Sequence, residues 1–99
     1  MTTLAVKNKE ADAYSVTVTE DTLTIELSDG RTISAPLAWY PRLQYATEEE
    51  RNNWRLIGGG YGIHWSSIDE DISVSAVLSG LPSGESQPSF KKWLESRNR

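Results

Sequence analysis

Between Tyr14 and Ala35 apolar and polar residues alternate with a period of two, which marks half-buried strands rather than helix. Tyr14, Val16 and Val18 fall on one face, and Ser15, Thr17 and Thr19 on the other. Glu20-Asp21 offers a turn, after which Leu23, Ile25 and Leu27 alternate with Thr22, Thr24, Glu26 and Ser28. Asp29-Gly30 then suits a type I′ hairpin, whose two central residues need positive φ. Arg31 to Ala35 returns as a third strand with Ile33 and Ala35 inward. Pro36 ends it, because proline cannot donate to a ladder. The reading is a three-stranded antiparallel meander whose apolar side another layer must cover. Upstream, Leu4 and Val6 offer an additional edge strand.

Downstream the period changes. Leu37 to Leu43 is a compact apolar segment punctuated by Pro36 and Pro41. Thr47 reads as an N-cap with Glu50 completing a capping box, and Glu48 and Glu49 suit the positive end of a helix dipole. Glu50, Trp54 and Ile57 recur at i, i+4 and i+7, which predicts a helix over Thr47–Ile57 that covers the sheet and stops at Gly58. Tyr61 to Trp65 has strand composition, with Ile63 and Trp65 on one face and His64 on the other. Asp69-Glu70-Asp71 reads as too acidic for an interior and suits the approach to a helix. Val74, Val77 and Leu78 mark that short helix, closed by Gly80. The chain divides into a small α+β domain over residues 1–81, a linker over 82–87 and a basic amphipathic helix over 88–99, where Phe90, Trp93 and Leu94 share a face.

Composition narrows the chemistry. The absence of cysteine excludes disulfides, thiolate nucleophiles and cysteine-ligated metal centres, and is in keeping with a cytoplasmic protein. Met1 to Glu10 holds no apolar run of the kind a signal peptide needs, and no window approaches a membrane span. The net charge of −4 conceals a polarity: residues 10–85 carry thirteen acids and four bases, whereas the segment from Ser86 carries Lys91, Lys92, Arg97 and Arg99 against Glu95. An acidic body repels phosphate backbones, so nucleic acid is an expected partner only through the tail.

The middle of the chain, Gly58-Gly59-Gly60-Tyr61-Gly62-Ile63-His64-Trp65, has the look of a functional loop. Yet no lysine lies between residues 10 and 90 to complete a P-loop, and the glycine spacing fails the dinucleotide pattern. A helix stop followed by a tight turn accounts for these glycines. His64 is the one imidazole available for acid–base chemistry, beside Ser66, Ser67 and Asp69 to Asp71. That set matches neither a zinc spacing nor a calcium loop, so a structural histidine competes with a metal-dependent or hydrolytic centre on His64 and Asp69–Asp71. No cofactor, metal or catalytic residue is assigned. Trp39, Trp54 and Trp65 suit core packing, while Trp39, Tyr40 and Arg42 beside His64 and Trp65 could instead form an exposed aromatic and arginine patch. Phe90, Lys91, Lys92 and Trp93 extend the candidate partner-binding set, since a short basic helix must dock on its own domain or fold on a partner.

The words Asp29-Gly30-Arg31-Thr32-Ile33, Pro36-Leu37-Ala38-Trp39-Tyr40-Pro41-Arg42-Leu43, Asn53-Trp54-Arg55-Leu56-Ile57-Gly58-Gly59-Gly60, Gly62-Ile63-His64-Trp65 and Ile68-Asp69-Glu70-Asp71-Ile72-Ser73 occur in this order. From about residue 14 to residue 80 the chain resembles the bacterial and phage domain-of-unknown-function family 2442. Its tail, Phe90 to Arg97, looks like the extension on one branch of that family. The branch tends to carry proline after His-Trp, where this chain has Ser66. The resemblance implies a small cytoplasmic α+β domain without agreed catalytic residues, some of whose members look like partners of neighbouring small toxins. Some relatives also carry a helix-turn-helix, for which the residues after the linker are too few.

The expectation is therefore an α+β fold, an antiparallel meander packed against a few short helices, serving as a non-enzymatic protein-interaction module. Its expected partner is another protein, the product of an adjacent gene being the first candidate, with a homodimer through an open meander edge as a further one.

Overall fold

The computed structural model describes residues 11–97 and confirms the α+β class. Leu4 and Val6, the proposed extra edge strand, lie outside the described residues, as does Arg99. Strands β1 (Ala13–Val18), β2 (Thr22–Leu27) and β3 (Thr32–Pro36) form the expected antiparallel meander in the order β1-β2-β3. Leu23, Ile25 and Leu27 from β2, Val16 from β1 and Ala35 from β3 supply its buried face.

Two details of the meander depart from the simple alternation. The β1–β2 register shifts between Ala13 and Ser15, so Tyr14 occupies a bulge. The extra residue lets both Ala13 and Val16 face the core, while Tyr14 turns outward and donates its hydroxyl to the Glu26 carboxylate at 2.9 Å. At the β2–β3 hairpin only Gly30 has positive φ, 99°, so the turn is not type I′. Gly30 N–H donates to the Leu27 carbonyl and Leu27 N–H to that of Arg31, which makes a type I turn closed by a left-handed glycine. Asp29 stays right-handed because its carboxylate takes the Arg31 backbone N–H at 3.0 Å and the guanidinium at 2.8 Å.

A 3₁₀ turn (Leu37–Trp39) and helix α1 (Pro41–Gln44) follow, then α2 (Glu48–Asn52). The capping box is present: Thr47 Oγ1 accepts from Glu50 N–H at 3.1 Å, and Glu50 accepts from Thr47 N–H at 2.8 Å. The helix does not continue to Ile57. It stops at Asn52, and Trp54–Ile57 forms strand β4. The spacing of Glu50, Trp54 and Ile57 fits a helix, but Trp54 and Leu56 alternating with exposed Arg55 fits a strand equally well. Asn52-Asn53 breaks the helix, and Gly58-Gly59, both with φ near +65°, supply the type I′ signature that a strand pair requires. The glycines therefore join two strands rather than ending a helix.

Strands β4, β5 (Gly62–Trp65) and β6 (Glu70–Ser73) make a second antiparallel sheet in that order. Its inner face brings Ile63, Trp65 and Ile72 into one core with the meander, so a sheet rather than a long helix covers the apolar side. Ser73 caps α3 (Val74–Leu78) through its hydroxyl, and Gly80 ends it with φ 76°.

The last helix, α4 (Gln87–Arg97), is packed on this body. The guanidinium groups of Arg97 and Arg42 lie 4.5 and 5.3 Å from the Trp93 ring centroid, Arg97 pairs with Glu50 at 2.8 Å, and Phe90 meets Tyr45 edge-on at 5.5 Å. An 11-residue helix is marginal by itself, so these contacts hold it. Replacing Trp93 with alanine is expected to speed amide exchange across residues 87–97 at least tenfold while lowering global stability by only about 1–2 kcal/mol. Exchange measured by mass spectrometry checks this. Among the described residues no helix is long and apolar enough to cross a membrane.

Candidate functional site

The local chain geometry around β6 sets the site. After β5, residues 66–69 form a turn in which Ile68 plunges into the core and Asp69 adopts φ 54°, the one non-glycine residue among those described with positive φ. Aspartate tolerates this region better than most side chains. The turn sets the strand phase: Glu70 and Ile72 point inward beside Trp65 and Ile63, while Asp71 points outward beside His64. The acidic triplet is therefore split between two faces of the sheet. Glu70, expected outside, is only 9% exposed.

Glu70 lines an open cleft of about 630 Å³ bounded by β6 and by the segment Leu81–Glu85. Two contacts pin that segment: Ser83 N–H donates to the Trp39 carbonyl at 3.0 Å, and the Arg42 guanidinium grips the Glu85 carboxylate through Nε and an NH₂ group at 2.6–3.0 Å. Arg42 also donates to the Ile68 carbonyl at 2.8 Å, so it ties the turn, the cleft wall and, through Trp93, α4. Its guanidinium holds the Glu85 carboxyl below the ordinary carboxylate range.

Glu70 has no comparable partner. Among the described residues its carboxylate takes no hydrogen bond. Burial, reinforced by the negative charge of Glu85, raises its pKa to about 7. The buried Tyr40 hydroxyl in the same cleft is raised as well, through burial and then Glu70. Because the folded-state value of Glu70 lies above that of an unfolded carboxyl, its contribution to stability is full below about pH 4.5 and declines as the pH rises toward 7. Glu50 and Glu85, lowered by Arg97 and Arg42, act oppositely and lose their contribution as the pH falls below the ordinary carboxylate range. Denaturant unfolding between pH 4 and 8 is expected to show a decline on the order of 2 kcal/mol from pH 5 to 7, which Glu70→Gln abolishes.

The remaining expected residues scatter. His64 Nδ1 lies 2.5 Å from the exposed Asp71 carboxylate across the outer face, away from Glu70. Ser67 Oγ accepts from Asn53 at 2.7 Å instead of engaging the imidazole. Among the described residues no three histidine or carboxylate side chains gather to hold a metal ion: Asp71 reaches His64, but Asp69 and Glu70 do not join them. Tyr40 and Trp65, at 2% and 0% exposure, are core residues and cannot form the exposed aromatic patch with His64. Trp39 is half-buried against the core. Phe90 and Trp93 are spent on docking α4, while Lys91 and Lys92 face solvent. Sequence reasoning named Glu70 only as one of the exposed acids Asp69–Asp71 beside His64, and it missed Glu85. The signal for Glu70 was the alternation Glu70-x-Ile72 once β6 is recognised as a strand; nothing local marks Glu85.

Fold and site together define a small α+β protein of two three-stranded sheets with an acidic cleft along one sheet edge. The chain belongs to the family described as "Protein of unknown function (DUF2442)", which matches residues 13–83. The crystal structure of a protein of unknown function from Rhodospirillum rubrum shares this fold, with a TM-score of 0.67 and 23% identity over 78% of this chain and 95% of that one. No curated protein matches the chain.

Proposed function

We propose that this protein is a non-enzymatic protein-interaction module of the cytoplasm, acting as the antitoxin-like partner of a small protein encoded beside it. The observation that carries this reading is the cleft: Tyr61 and Leu81, 58% and 56% exposed, flank it, and large exposed apolar groups around a concave surface are what partner proteins bury. Co-purification of the tagged chain with the product of the adjacent gene tests it. A stoichiometric complex supports the reading, and its absence with both proteins folded removes it.

Glu70 favours a second, hydrolytic reading, because a cleft carboxyl titrating near neutrality is suited to general acid–base work. This replaces the His64 centre with Glu70 as the candidate acid. Turnover of chromogenic esters or glycosides that Glu70→Gln abolishes would favour it; no turnover, or turnover unchanged by the substitution, would end it.

A further inference from the structure

Strand β6 is an edge: the sheet order is β4-β5-β6, and among the described residues nothing pairs with its outer side. Its hydrogen-bond phase follows from one contact. Val74 N–H donates to the Tyr61 carbonyl at 3.1 Å, and this pair continues the register Gly62↔Ser73, Ile63↔Ile72, His64↔Asp71, Trp65↔Glu70. Bonded pairs alternate in an antiparallel ladder, so Glu70, Ile72 and Val74 bond to β5. The N–H and C=O of Asp71 and the N–H of Ser73 point the other way, and no backbone partner meets them among the described residues. Both residues line the cleft. An edge offering free main-chain groups is a template for a further strand.

The charge in the cleft is one-sided. Asp69, Glu70 and Glu85 line it against, among the described residues, a single cation, Arg42, which Glu85 already engages, while the Asp71 carboxylate turns to His64 on the outer face. Glu70 is nine-tenths buried, lacks a hydrogen-bond partner among the described residues and opens into the cleft. Its oxygens are reached by solvent only through the cleft, so the carboxylate is partly desolvated and costly to ionise, and an ammonium or guanidinium delivered there would stabilise it. The geometry points to an extended, lysine- or arginine-bearing segment of a partner protein that adds as a strand to β6 and places a cation against Glu70. On such a strand successive side chains face opposite ways, so a basic residue meets Glu70 while its neighbours lie on the other face, where His64 already engages Asp71. Tyr61 and Leu81 cover the apolar stems. A second copy of this chain is a poor occupant, because β6 against β6 would oppose acid to acid.

This inference rests on the interaction-module reading and names the chemistry of its partner. The test uses the full chain and a fluorescein-labelled nonapeptide alternating lysine and valine, followed by anisotropy and by the amide signals of Asp71 and Ser73. The expected result is saturable binding, with those two amides shifted and protected from exchange. N-methylation of alternate peptide bonds, which removes strand donors while leaving charge intact, should weaken binding at least tenfold. Glu70→Gln should weaken it at least threefold. Asp71→Pro removes an N–H that faces away from β5, so the ladder survives and binding should fall tenfold, whereas Asp71→Asn keeps the N–H and should lose less. Equal affinity for an N-methylated peptide or for a lysine–proline peptide of the same charge would overturn strand addition in favour of charge alone. Self-association that Asp71→Pro abolishes would assign the edge to a second copy and overturn the proposal. A complex with the adjacent gene product that survives Glu70→Gln and Asp71→Pro unchanged would sink the cleft assignment while leaving the interaction module standing.

Discussion

Alanine in place of Trp65 is expected to remove about 3–5 kcal/mol of stability, a large share of what a domain of this size has. The ring is fully buried where the two sheets meet, flanked by Trp54 and Glu70 as cross-strand neighbours. Its loss leaves a cavity that two opposed sheets cannot close, since each is held by its own ladder. The indole also donates from Nε1 to the Arg51 carbonyl at 3.0 Å, which anchors the end of α2 to β5. Trp65→Phe separates the two effects. It keeps much of the apolar volume, loses the hydrogen bond, and should cost about 1–2 kcal/mol. Thermal melts followed by far-UV circular dichroism should show the alanine variant lower by roughly 15–30 °C, if it folds at all. A fall of only a few degrees would mean that Trp65 does not lie at the junction of the sheets.

The same junction explains what the sequence discloses and what it conceals. The meander is legible because Leu23-Ile25-Leu27 is a clean two-residue alternation bounded by turn residues, and local pattern decides such strands. The capping box at Thr47–Glu50 is legible for the same reason, being a local exchange of two hydrogen bonds. Trp54-Arg55-Leu56-Ile57 is not legible alone. Four residues cannot distinguish the two periods, and pairing with β5 across the glycine turn, a tertiary event, settles the matter. Glu70 follows from that misreading. Once the second sheet is missed, its acidic strand looks like a loop, and the cleft disappears with it. Glu85 is further removed still. It acquires its role from Arg42, 43 positions earlier, and no periodicity reports such a partner.

Gly60→Ala should cost about 3–5 kcal/mol, whereas Gly59→Ala, one residue earlier, should cost only about 1–2 kcal/mol. Both positions have positive φ, 107° and 69°, so both substitutions carry the penalty of a left-handed L-residue. Their surroundings differ. A methyl group on Gly59 meets nothing within 4 Å, but one on Gly60 would lie 2.4 Å from the Ala13 carbonyl oxygen and 2.8 Å from Asp12 Cβ. The Ala13 oxygen is backbone and cannot rotate away. The clash falls where the sheets are stitched together, since Ala13 N–H donates to the Gly60 carbonyl at 2.8 Å. Relief requires β1 to move off the β4–β5 hairpin, which breaks that bond and uncovers Ala13 at the margin of the core. Paired urea titrations of the two variants provide the measurement, with unchanged slopes confirming that the folded and unfolded states keep their exposed areas. Equal losses for Gly59→Ala and Gly60→Ala would show that backbone strain alone is at work and that the hairpin does not seat against β1. A deficit confined to Gly60→Ala would locate the coupling between the meander and the second sheet at this single close approach.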